Sequence, residues 1–108
     1  MSRLMIVFTV PETHLHPVLH AIAEAGAGII GEYTHCSFTA AGTGRFKPSA
    51  TANPTLGQRE QINEEPELRV ETFCDRNRAK AVISALRSAH PYEEPVYYLI
   101  PLVDVGEL

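Results

Sequence analysis

The stretch HPYEEPVYYLIPL, residues 90–102, decides how this chain folds. Pro91 has no backbone N–H and restricts the residue before it, so a helix arriving from the N-terminal side must stop there. From Pro95 a β-branched and aromatic run begins, and it reads as a strand over about 95–103. In the forced bend between sit His90, Tyr92, Glu93 and Glu94. The architectural reading is that Pro91 stops a helix, Pro95 starts a strand and Tyr92 packs its ring. The functional reading is ligand or metal contact by His90, Glu93 or Glu94. Both hold together if the bend lies at a subunit boundary.

Working outward, residues 76–89 predict a helix with Asp75 as N-cap and Ala79, Val82, Ile83 and Leu86 as its buried stripe. Before it, residues 67–74 (ELRVETFC) alternate. Leu68, Val70, Thr72 and Cys74 face one way, and Glu67, Arg69 and Glu71 the other. At the other end, residues 3–10 (RLMIVFTV) are a near-continuous apolar run that suits a central strand. A helix follows over 13–25, with Thr13 as N-cap and Leu15, Val18, Leu19 and Ile22 on one face. The glycine-rich AGAGIIG, residues 25–31, lies after this helix, not before one. It therefore reads as a C-cap and turn, not as a phosphate cradle. Residues 32–40 (EYTHCSFTA) read as a second strand. Residues 41–66 are rich in glycine and proline and read as one long loop.

The order is βαββαβ. Two split βαβ units with right-handed crossovers close into an α+β, ferredoxin-like sandwich, a four-stranded antiparallel sheet with both helices on one face. The 108 residues suffice for one domain, 1–108, with one core. That core is expected to hold Met5, Val7, Leu19, Ile22, Phe38, Val70, Val82, Leu86 and Leu99. The other sheet face would carry Tyr33 or Phe38, Phe73 and Tyr98. That set is too apolar to leave in water, so self-association is expected.

Composition excludes several function classes. A formal net charge of −4 argues against nucleic-acid and anionic-membrane partners. No apolar run reaches the ~20 residues that span a bilayer, and the N-terminus has no signal-peptide pattern. Cys36 and Cys74 lack metal or redox spacing and read as buried thiols in predicted strands, which implies a cytoplasmic protein. No nucleophile–base constellation is visible, so no catalytic residue is assigned.

Three further features bear on binding. His16, His20 and Glu24 share one face of the first helix at i, i+4 and i+8 spacing and could together hold a divalent metal. A solvated face explains them as well and is preferred, with at most weak zinc binding expected. His35 and Cys36, adjacent on a predicted strand, would point to opposite faces; His35 could meet His90 if strands or subunits approach. Arg45, Phe46 and Lys47 lie in the long loop, which reads as a partner-contacting segment.

Three motifs taken in order resemble one family. They are AGAGIIGEYTHCSF at 25–38, GTGRFKP at 42–48 with Asn53-Pro54 and Gly57 following, and AHPYEEP at 89–95. Together, over roughly 3–103, the chain resembles the insertion domain of the Nif-three-like (NGG-interacting-factor-three, YqfO-type) proteins. That domain is similar in fold to the PII signalling proteins and to the divalent-cation-tolerance, or CutA-like, proteins. The latter carry a related His-x-Tyr-x-x-Pro bend before their last strand. The resemblance implies a PII-like fold, self-association with a trimer ahead of a dimer, and a loop at 41–66 in the place of the mobile PII loop. The family's dinuclear metal site lies on flanking lobes, whose residues have no counterpart in this sequence. The resulting expectation is a non-enzymatic, self-associating binding or regulatory module with no required cofactor. Its ligand or interface residues would be His90, Tyr92, Glu93, Glu94, His35, Arg45, Phe46 and Lys47. The alternatives are a divalent-metal-binding protein similar to the cation-tolerance family, or a subunit of a metal-dependent hydrolase-like complex completed by a partner chain.

Overall fold

The computed structural model describes residues 2–108. Strand β1 (Arg3–Val10) leads into helix α1 (Leu15–Glu24), strands β2 (Phe38–Phe46) and β3 (Asn63–Asp75), helix α2 (Ala79–Ala89) and strand β4 (Tyr97–Pro101). Short 3-10 turns precede both helices, at Glu12–His14 and Arg76–Arg78. The strands pair antiparallel in the order β2-β3-β1-β4, the ferredoxin-like arrangement. Among the described residues, no helix is long and apolar enough to cross a membrane.

Register explains the core. Leu4, Ile6, Phe8 and Val10 of β1 lie on the same face as Val70 and Cys74 of β3. Val18 and Ile22 of α1, with Ala79, Val82 and Leu86 of α2, close over them. The buried stripes are those of the helical spacing. Each fully buried aliphatic or aromatic side chain contributes about 1.5–3 kcal/mol. Val7, on the face opposite the helices, is also buried.

The second strand departs from the sequence reading. It starts at Phe38, not near 32, and runs to Phe46, so Arg45 and Phe46 belong to a strand and not to a loop. Strand β3 likewise begins at Asn63. Residues 42–46 and 63–67 pair only with each other and extend beyond β1 as a two-stranded arm, leaving residues 47–62 as the loop at its tip. Residues 28–37 are spent on a return loop. It begins where Gly28, at φ +77°, lies so close to Cys36 that a Cβ would stand 2.6 Å from the Cys36 carbonyl oxygen. Gly26 closes α1 with φ +113°, as a helix C-cap requires. Neither Thr13 nor Asp75 caps a helix with its side chain, because a 3-10 turn intervenes at each start. The last strand, at Tyr97–Pro101, is shorter than 95–103.

Four expected core residues are corrected. Phe38 is 65% exposed because it lies on the sheet face opposite the helices, and Leu99 is 42% exposed on the edge strand β4. Met5 and Leu19 are half-buried. Cys36 lies in the return loop and not in a strand; it is half-buried, Cys74 is buried, and both are free thiols. Leu86 is fully buried between helix and sheet, so Leu86→Ala should cost roughly 2–5 kcal/mol in urea denaturation. A loss under about 0.5 kcal/mol would remove it from the core.

Candidate functional site

The cleft is built from the bend outward. His90 is 6% exposed and follows α2 in an extended conformation. Its Nε2 lies 2.7 Å from the Thr9 carbonyl oxygen, and its Nδ1 accepts the Tyr92 N–H at 3.1 Å. Only the tautomer with the proton on Nε2 satisfies both contacts. Strand β4 stops pairing with β1 at Phe8, so the imidazole takes over where the sheet ends. Burial pushes the His90 pKa below its ordinary value, helped by His14 and opposed by the Thr9 hydrogen bond. The ring is therefore neutral, with both nitrogens engaged. The Tyr92 ring packs 4.9 Å from it, at 58°.

The loop at the tip of the arm folds back onto this bend. The Thr55 hydroxyl donates to the Pro91 carbonyl at 2.7 Å, and the Asn53 N–H donates to Glu93 Oε1 at 3.3 Å. Between arm, loop and bend opens a cleft of about 510 Å³. Phe46, Pro48, Pro54, Leu56 and Val96 give it apolar walls, and Arg45, Lys47, Glu93 and Glu94 stand around it. Thus the second and third sequence motifs, 42–48 and 89–95, form one site.

The decisive residue is one that the sequence reading passed over. Glu67 of β3 is 9% exposed and reaches into this cleft. Its carboxylate occupies the space above Gly44 on β2, where any Cβ would collide with Glu67 Oε1. Glu67 Oε2 and the Tyr92 hydroxyl are both buried and have no hydrogen-bond partner among the described residues. A buried polar atom left unpaired costs roughly 1–3 kcal/mol, more when charged. Glu67 and Tyr92 both line this cleft. Burial, then Glu67 and Glu65, push the Tyr92 phenol up to about 12, so it keeps its proton.

The histidines of the first helix fall elsewhere. His16 and His20 line a second recess of about 310 Å³, between α1 and the return loop. His35 lines it too, from the loop, at φ +60°. It therefore does not sit on a strand, and it is not brought to His90, which is engaged with Thr9. Instead, His35 meets His20 and Glu24. His16 lies outside that group of three.

No family model matches the sequence. Curated relatives do. The chain is 43% identical over 106 residues to a "GTP cyclohydrolase 1 type 2 homolog" of Halalkalibacterium halodurans, covering 98% of this chain and 28% of that protein. It is 44% identical over 104 residues to the protein of that name from Mycobacterium leprae, covering 93% and 27%. Among solved structures, a Bacillus cereus protein related to NIF3 superposes with a TM-score of 0.83 at 38% identity, over 95% of this chain and 26% of that one. A CutA divalent cation tolerance protein of Archaeoglobus fulgidus matches 97% of this chain and 89% of its own, with a TM-score of 0.68 at 14% identity, a likeness of fold. The chain thus matches one segment of NIF3-related proteins, and its fold is CutA-like. It spans just over a quarter of the length of these curated relatives.

His90 sets a pH limit on the bend. Because its folded pKa lies below the unfolded value near 6.5, the unfolded chain takes up the proton first as pH falls. Stability from this residue is complete above 6.5 and declines below it, with a slope no steeper than about 1.4 kcal/mol per pH unit. In urea titrations between pH 7 and 5, His90→Gln should flatten that decline. An unchanged slope would mean that His90 does not carry it.

Proposed function

We propose that this chain is a non-enzymatic, self-associating binding module. Its cleft between the arm and the HPYEEP bend takes a small ligand that presents N–H donors. The observation that carries this reading is the pair of buried, unpartnered atoms, Glu67 Oε2 and the Tyr92 hydroxyl, in an apolar-walled cleft. A carboxyl oxygen without a partner can accept a hydrogen bond, so a donating ligand would complete it. An ammonium, an amidinium or the N–H edge of a planar ring meets that need. Arg45 and Lys47 at the mouth would favour a ligand with an anionic end, and the loop that carries the cleft wall would also suit a protein partner.

His90, Tyr92 and Cys74 are poorly suited to catalysis. General acid–base chemistry needs a group that changes protonation near the working pH. His90 is held neutral with both nitrogens engaged, and the Tyr92 phenol is moved up to about 12. The Cys74 thiol is buried and raised in pKa, an unreactive setting. Two unpaired cysteines fit a reducing, cytoplasmic environment.

Self-association is supported by the sheet face that the helices leave bare. Phe38 of β2 and Tyr98 and Ile100 of β4 are exposed there, Tyr98 at 58%. Register puts Phe38, Val7 and Tyr98 in one row across the sheet. Such a face is best covered by copies of itself, with a trimer ahead of a dimer. The second reading is a cover supplied by a partner chain, in a metal-dependent hydrolase-like complex. The curated relatives favour it to this extent, that they are more than three times as long as the matched segment.

Light scattering on untagged protein at micromolar concentration should show a closed oligomer that Tyr98→Glu dissociates. A monodisperse monomer would sink self-association in favour of the partner-chain reading. For the cleft, Glu67→Met should leave stability unchanged or raise it by roughly 1 kcal/mol, because it removes an unpaired buried acceptor. Benzamidine, an amidinium on an apolar ring, should shift the amide signals of Gly44, Phe46 and Tyr92 in the wild type and not in Glu67→Met, and benzoate should do neither. A loss of more than about 2 kcal/mol in Glu67→Met would make Glu67 a structural residue and overturn the ligand reading.

A further inference from the structure

The recess on the far side of α1 carries a different chemistry. His20 and Glu24 occupy successive turns of α1, with His20 Nε2 3.6 Å from Glu24 Oε1. His35 comes from the return loop, and its ring centre lies 6.4 Å from that of His20. One ligand-type atom from each of the three residues falls within 4.8 Å of the others. We propose that His20, Glu24 and His35 bind one divalent transition-metal ion of the zinc class.

Four observations support this assignment. The donor set is two imidazoles and one carboxylate, which suits zinc and its neighbours more than magnesium or calcium, whose ligands are oxygens. His35 Nδ1 lies 2.9 Å from the Thr34 hydroxyl. That contact leaves Nε2 as the metal-facing nitrogen and orients the ring, as an outer hydrogen bond does in metal sites. The mount of His35 is rigid. The Cys36 N–H donates to the Gly28 carbonyl at 2.9 Å, the Thr72 hydroxyl donates to the Cys36 carbonyl at 2.8 Å, and His35 itself is held at φ +60°. A non-glycine residue pays roughly 1–3 kcal/mol for that conformation, and such strain clusters at functional positions. Finally, Glu24 is the last residue of α1, where the helix dipole disfavours a carboxylate, and the last turn holds no basic residue. A cation there relieves both negative charges.

In a tetrahedral zinc site with bonds near 2 Å the ligand atoms stand about 3.3 Å apart. Drawing exposed side chains in from 4.8 Å needs only torsional adjustment. Three protein ligands leave a fourth position for water or a small ligand, opening toward the recess that Leu19, Ala23 and Ser37 also line. His16, one turn before His20, lines that recess outside the cluster and serves as the discriminating control.

Calorimetry with zinc on the untagged chain tests the proposal. The expected result is one ion per chain. Affinity should fall about tenfold or more in His35→Asn and in Glu24→Gln, and should change less than about twofold in His16→Gln. Asparagine is chosen because it tolerates the left-handed backbone at position 35. Glu24→Gln, on an exposed helix end, keeps the test decisive if His35→Asn does not fold. In histidine nitrogen spectra, zinc should move the Nε2 signals of His20 and His35 and leave His90 in place. No binding at about 100 µM zinc overturns the site. So does an affinity lost in His16→Gln and kept in His35→Asn, which would reduce it to a bare i, i+4 histidine pair.

Discussion

The hydrogen bond from His90 Nε2 to the Thr9 carbonyl is the joint on which the rest depends. Strand β4 begins one residue too late to reach Thr9, and a buried carbonyl without a donor is costly. The imidazole supplies that donor, and with its other nitrogen it accepts the Tyr92 N–H. One side chain thereby ties the end of β1 to the exit of α2 and fixes the turn into β4. A charged His90 could not accept from Tyr92, and the opposite tautomer could not donate to Thr9. Neutrality and tautomer are therefore structural requirements here.

With the bend fixed, the arm can use it. The arm leaves the sheet where β1 ends, and alone it would be a two-stranded ribbon of marginal stability. Its loop is latched to the bend by Thr55 and Asn53, which encloses a cleft instead of leaving a free hairpin. Into that enclosure the fold places a carboxylate and a phenol without partners. A sequence selected for stability alone would put an apolar side chain at 67. The geometry is expensive to keep, and ligand binding is the reason we propose for it.

Much of the frame was legible in the residues. The prolines of the bend, the apolar run of β1 and the helical stripes each have a local cause, and the elements they dictate are present. The second strand was misjudged because Tyr33, Thr34 and Phe38 have strand character. The close approach of Gly28 to Cys36 instead spends the stretch on a loop, a tertiary effect that no local pattern carries. Gly42 and Gly44 looked like loop residues, yet a paired strand tolerates them, and Glu67 requires the bare backbone at Gly44. Phe38 and Leu99 have the right residue type for a core, but register turns Phe38 to the face without helices and Leu99 lies on an edge strand. Arg45, Phe46 and Lys47 are neighbours in sequence, and only the fold brings them to Tyr92, Glu93 and Glu94. Glu67 could not be found, because its significance lies in the register that sets β3 against β2. His35 joins His20 and Glu24 through a positive φ that its residue type does not announce.

The most direct measurement is the long-range nitrogen–proton correlation spectrum of the five histidines, recorded across a pH titration. The account predicts that His90 shows a proton on Nε2 and a bare, hydrogen-bonded Nδ1. It also predicts that His90 stays neutral at a pH where an ordinary histidine is half protonated, near 6.5. A His90 that carries its proton on Nδ1, or that titrates with an ordinary pKa, would contradict the joint and with it the cleft built upon it.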